Sequence, residues 1–179
     1  MARMGSVDLS ELKKFQQNLE KMADEAKINQ FCEECAKELA ARLLAKVIKR
    51  TPVGDYPKGS GRKGGVLRRG WVSKTPEEAS SAEEVTAKEQ ADYIQGIKVT
   101  KSDSQYIIEI ENPVPYASYV EFGHRQTPGR YVPVLGKCLK ESFVPGKKMM
   151  TISENEIRQI APRLLEKKLE KFLEGVFRE

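Results

Sequence analysis

Apolar side chains recur at intervals of three and four near both ends of the chain, and alternate with polar ones in its middle third. Asp8-Leu-Ser-Glu11 reads as a capping box, with Val7 and Leu12 placed for a hydrophobic staple. Leu9, Leu12, Phe15, Leu19, Met22 and Ala26 then trace one helical stripe. Phe31, Cys35, Leu39, Leu43 and Val47 continue it at steps of four, with Ala36, Ala40 and Ile48 alongside. Lys46, Lys49 and Arg50 suit the negative end of a helix dipole. Thr51-Pro52 stops the helix, because a residue before proline avoids the helical region. The pattern predicts one long N-terminal helix, bent or broken between Lys27 and Asn29.

Beyond a loop from Val53 to Gly65, residues 66–72 read as a strand, with Leu67 and Trp71 on one face. Residues 76–90 are acidic and Ala-rich, and predict a loose helix over 79–88. Tyr93 to Thr100 and Gln105 to Glu111 alternate in character around Thr-Lys-Ser-Asp-Ser, which predicts an antiparallel hairpin lying on the long helix. Pro113 to Val134 interleaves aromatics with Ala, Ser and Gly between prolines. It reads as a bend where the sheet ends and an exposed arm begins. A short helix is expected over 137–143, a turn at Pro145-Gly146 and an extended apolar patch at Met149, Met150 and Ile152. Ser153-Glu-Asn-Glu156 is a second capping box, opening a stripe of Ile157, Ile160, Leu164, Leu165, Leu169, Phe172 and Val176. Pro162 should kink that last helix or mark its start. The fold class predicted is α+β: long N- and C-terminal helices packed on a small, mainly antiparallel sheet of three to five strands, with an extended arm.

Composition narrows this. A chain of 179 residues suggests one domain. Hydrophobic residues at 39% and charged residues at 32% make it polar, yet its periodic grouping points to a folded chain. No run approaches the roughly 18 apolar residues of a membrane span, and the N-terminus has no signal-peptide core, so folding in a cytoplasm is expected. The net charge of +5 is unevenly distributed. Nine Lys/Arg face one acid between Lys46 and Lys74, whereas six acids face Lys88 between Glu77 and Asp92. The two segments could pair with each other or across subunits. Within them lie a basic loop at about 54–65 and an acidic insertion at about 76–91. Lys58, Arg62, Lys63, Arg68 and Arg69 are the candidates to face DNA, because lysine and arginine neutralise phosphates without reading sequence.

Candidate chemistry is thin. Cys32-Glu-Glu-Cys35 has C-x-x-C spacing, but a zinc site needs two more ligands and only Cys138 and His124 remain. The pair reads better as buried small apolar residues. Gly59-Ser-Gly61-Arg-Lys-Gly64 matches G-x-G-x-x-G without the preceding strand or following helix that a dinucleotide site requires. His124, the lone histidine, has Ser118, Glu121 and Cys138 nearby in sequence but nothing to orient them. Glu109, Glu111 and Glu121 read as exposed charges or partners of Arg68 and Arg69. No catalytic residue, metal or cofactor is expected.

Tyr116-Ala-Ser-Tyr-Val-Glu-Phe-Gly-His124 resembles the Tyr-Ala-x-Tyr-Val-Glu-Phe-Gly-Thr signature of a tailed-bacteriophage tail-component family, the head–tail or tail-completion proteins of lambdoid phages. Thr51-Pro52-Val53, followed after an insertion by Leu67-Arg68, is similar to that family's Thr-Pro-Val-Asp-Thr-Gly-x-Leu-Arg. The resemblance implies a structural virion protein of the head–tail or neck region, made in the host bacterial cytoplasm. It also implies a homo-oligomeric ring, a hexamer by resemblance, joined to connector, neck and tail-tube proteins. Interface candidates are Tyr116, Tyr119, Glu121, Phe122, Arg125, Tyr131 and Val132, with the arm at about 124–135. The basic loop would face passing DNA or a neighbouring subunit. A small nucleic-acid-binding protein is the alternative, although no helix-turn-helix, zinc-finger or RNA-binding signature is present.

Overall fold

A computed structural model describes residue 20 and residues 25–56, 64–81, 84–103, 105–133 and 136–178. The N-terminal capping box and the stripe from Leu9 to Met22 lie outside the described residues, as do Lys58, Arg62 and Lys63. The fold is α+β. Helix α1 spans Glu25–Arg50 without the expected break. Its Asn29 remains helical, and the Asn29 side chain accepts hydrogen bonds from Lys101 Nζ (2.8 Å) and Tyr106 Oη (2.6 Å). Three short helices follow: α2 (Val66–Gly70), α3 (Pro76–Ser81) and α4 (Ala87–Gly96). Strands β1 (Thr100–Ser102) and β2 (Gln105–Ile107) form a hairpin, and α5 (Ala117–Phe122) carries the signature. Then come β3 (Gly123–Arg125), β4 (Tyr131–Val132), β5 (Lys137–Cys138) and β6 (Phe143–Pro145), before α6 (Met149–Arg178). Among the described residues the six strands form three separate antiparallel pairs rather than one sheet.

The expected strand over 66–72 and the first four residues of the expected strand over 93–100 are helical. In residues 66–72 Leu67 and Trp71 lie four apart, which on α2 and the turn after it sends both into the core. Residues 87–96 form α4 because Thr86 and Glu89 make a reciprocal capping box, each side chain bonding the other's backbone N–H. The β1–β2 hairpin keeps the expected partners but only over three pairs, Thr100–Ile107 to Ser102–Gln105. The expected helix over 137–143 is absent: the segment is the returning side of a hairpin.

The core is built on α1. Ala40, Leu44, Val47 and Ile48 meet Leu67, Trp71, Ala79, Ile94, Val114 and Met149. Leu44 is fully enclosed, which is worth about 2–3 kcal/mol of transfer free energy. Helix α6 lies antiparallel along α1. Phe31 and Phe172 stack with centroids 4.6 Å apart at one end. Lys168 meets Glu38 at 2.8 Å in the middle, and Glu156 bridges Lys46 (2.6 Å) and Arg50 (2.7 Å) at the other. The basic end of α1 thus pairs with α6, not with the acidic insertion. Helix α6 passes through Pro162, which is exposed, so the lost N–H falls on the solvent side.

Candidate functional site

Both motif segments converge where α1 ends. Thr51 is fully buried, and its Oγ1 donates to the Val47 carbonyl (2.7 Å) while accepting from Trp71 Nε1 (2.7 Å). The Thr51 carbonyl accepts two bonds from the Arg68 guanidinium, at 3.1 and 2.7 Å. A helix leaves its last carbonyls without intrahelical partners, so a planar five-donor cation is well matched to this end. Thr51-Pro52 and Leu67-Arg68 are therefore two sides of one helix cap. Arg69 is only 7% exposed; its Nε donates to the Ala79 carbonyl (2.8 Å) and one Nη to the Gly64 carbonyl (3.0 Å). Of the three arginines expected to face DNA, Arg68 and Arg69 donate to backbone carbonyls and Arg62 lies outside the described residues.

The signature forms a second joint. Tyr116 precedes α5 and lines a cleft with Pro52, Val53, Tyr56 and Val66, where burial and then the neighbouring Tyr56 push its phenol pKa up. Glu121 points inward and is 7% exposed. One carboxylate oxygen accepts from the Thr151 N–H (3.0 Å) and Oγ1 (2.7 Å), the other from the Met150 N–H (3.0 Å). Glu121 thus caps the N-terminus of α6 from another helix, where a negative charge also suits the dipole. Burial pushes its pKa up, but the bonds from Thr151 and Met150 outweigh it and hold the carboxyl below its ordinary 4.5. This cap corrects two expectations. Residues 149–152 are the first turn of α6, not an extended patch, and Ser153 is not a cap: it lies buried inside the helix, donating to the Met149 carbonyl at 2.7 Å.

Gly123 follows with φ +87° and ψ 173°, a region that glycine alone adopts without strain. A Cβ here would press on the Val144 carbonyl, and one at Gly146 would meet the backbone of Glu121, Phe122 and Gly123. Two backbones cross in contact at this point, held by bonds from the Lys147 N–H to the Val120 carbonyl (2.7 Å) and from the Lys148 N–H to the Glu121 carbonyl (3.0 Å).

From this crossing an arm emerges. β3 pairs with β6 through Gly123–Pro145, His124–Val144 and Arg125–Phe143. The ladder continues through Gln126 to Ser142 (2.9 Å) and Gly129 to Leu139 (2.8 Å), and ends with Tyr131–Cys138 and Val132–Lys137. The arm is thus a hairpin spanning 123–145, longer than the 124–135 expected. No described residue from 122 to 148 is buried. Phe122 is 71% exposed, and Tyr119, Tyr131 and Phe143 are also exposed; Arg125 is exposed and Val132 half-buried. Phe143 has no place among the sequence-derived candidates, because its segment reads as helix; the alternation of Phe143, Val144 and Pro145 with a proline at its end was the available sign. His124 sits edge-on to Tyr119 at 5.9 Å, with its Nδ1 enclosed and without a partner. Glu121 is committed to α6 and Cys138 lies out on β5, so neither stands beside His124 as a catalytic partner.

Among the described residues no group of three or more His, Cys, Asp or Glu is arranged to hold a metal ion, and no helix is long and apolar enough to cross a membrane. The site is thus a set of exposed aromatics on and beside a hairpin whose root is held by buried motif residues. The sequence model of the family described as "Bacteriophage HK97-gp10, putative tail-component" matches residues 13–123, and the chain belongs to that family. No curated protein and no solved structure matches the chain. The family supports a phage structural protein of the virion, and lends no support to a nucleic-acid-binding one.

Proposed function

We propose that this chain is a single-domain head–tail joining or tail-completion component, which assembles into a ring and docks neck and tail-tube proteins through the 123–145 arm. The observation that carries the reading is the arm itself. Four large aromatics, Tyr119, Phe122, Tyr131 and Phe143, are held in solvent on and beside a hairpin whose root is fixed by a buried cap and a glycine crossing. Aromatics left exposed on a rigid frame lose little entropy on binding and dominate interface energetics. A ring needs two different complementary patches, one on each side of the subunit.

The test is to shorten the hairpin evenly. Residues 127–141 are removed and Gln126 is joined to Ser142, its ladder partner, through an Asn-Gly turn. The shortened chain should retain its helical circular dichroism and thermal midpoint, yet remain monomeric in light scattering and fail to restore infectivity to phage lacking the gene. Infectious particles assembled from it would remove the arm from the function.

A further inference from the structure

Beside α1 lies a groove of about 420 Å³, walled by Leu39, Leu43, Ile108, Ile110, Met150 and Ile157. Its floor is unusual. From Ile108 to Glu111 burial alternates residue by residue, the period of a strand, with Ile108 and Ile110 turned to the groove and Glu109 and Glu111 outward. Yet β2 ends at Ile107, and among the described residues the backbone of 108–111 makes no hydrogen bond. Unmade backbone bonds along a strand-like edge are a template for another strand.

The arm is the complementary object. Each of its two ladders is only two strands wide, so its strands have free edges. Its charge is also complementary: between Gly123 and Lys148 stand Arg125, Arg130, Lys137, Lys140, Lys147 and Lys148 against Glu141 alone. Exposed Glu154 lines the groove, and the 108–111 segment carries exposed Glu109 and Glu111 on its outward side.

We propose that the arm of one copy lies along residues 108–111 of a second copy, adding a strand there and seating Tyr131, the ladder partner of Cys138, in the groove. The inference rests on the ring reading and names the seat that reading leaves open. Contact between an arm and a groove on different surfaces is head-to-tail, the type that closes rings.

Cys138, exposed on β5, supplies the probe. Ile108→Cys and Ile110→Cys, whose side chains face the groove, are made in the full chain, and two copies with tags of different size are mixed under mild oxidation. A disulfide needs Cα atoms within about 7 Å, so at least one of the two variants should give covalent dimer about tenfold above a Lys171→Cys control, and Cys138→Ser should abolish it. In the assembled protein the amides of 108–111 should also exchange about tenfold more slowly than in an unassembled Tyr131→Asp variant. A ring seen by light scattering, with neither cross-link nor protection, overturns the seat and leaves the ring standing. A cross-link confined within one chain overturns the second copy as occupant. A protein that stays monomeric at every concentration and with neck proteins overturns both.

Discussion

Glu121 and Phe122 are neighbours in sequence and opposites in use. One is 7% exposed and caps a thirty-residue helix; the other is 71% exposed and touches little of its own chain. The same division separates the whole joint from the arm. The joint, made by Thr51, Arg68, Trp71, Glu121, Gly123 and Gly146, is dense with directed bonds. The arm from 123 to 145 holds itself together by its own ladder. A motif shared by a family therefore need not be a binding site. Here it contains the rigid mount and only the first residues of what the mount presents.

Substitutions break the comparison most sharply at the glycine crossing. Gly146→Val forces a side chain into the backbone of Glu121 to Gly123 and should cost about 3–5 kcal/mol, read from urea unfolding followed by far-ultraviolet circular dichroism. Thr51→Val comes next. It leaves the buried Trp71 Nε1–H without an acceptor, for about 1–3 kcal/mol, and tryptophan fluorescence should shift as the helix cap loosens.

Glu121→Gln should cost about 1–2 kcal/mol at neutral pH. Its pH dependence is more telling. A carboxyl held below its ordinary 4.5 stabilises the fold fully above that value and loses the contribution as pH falls through the lowered one. The gap between wild type and Glu121→Gln should therefore close as the solution is acidified below pH 4.5. Glu38, bonded by Lys168 and then Arg42, and Glu156, bonded by Lys46, are also held low, so both proteins weaken in acid while their difference narrows. Phe143→Ser marks the smallest effect on folding, about 0.5 kcal/mol or less, and is expected to weaken assembly instead.

Much of the frame was legible in the chain. The stripe from Phe31 to Val47 and that from Ile157 onward follow helical spacing, and Thr51-Pro52 marks the end of α1, because these signals are local. The signature was legible as a landmark, but its division of labour was not. Glu121 caps a helix that begins 28 residues later, and no local pattern announces a cap delivered from elsewhere in the chain. The same contact explains why Ser153-Glu-Asn-Glu156 misleads as a capping box: with Met150 and Thr151 already satisfied by Glu121, the helix begins at Met149. Thr86 and Glu89 stand three apart as a capping box requires, but the alternation of Ile97 with Val99 reads as a strand from Tyr93 onward. The arm hid because its second strand pairs only with its first, and a segment such as Lys-Cys-Leu-Lys has no strong strand preference of its own.

The most direct measurement compares Phe122→Ser with wild type in two readouts on the same sample, urea unfolding and light-scattering mass with and without neck and tail-tube proteins. An outward residue that serves contact predicts an unfolding midpoint within error of wild type and a loss of assembly. A lowered midpoint with assembly intact would contradict it, placing Phe122 with Glu121 in the joint and leaving the exposed half of the signature without a role.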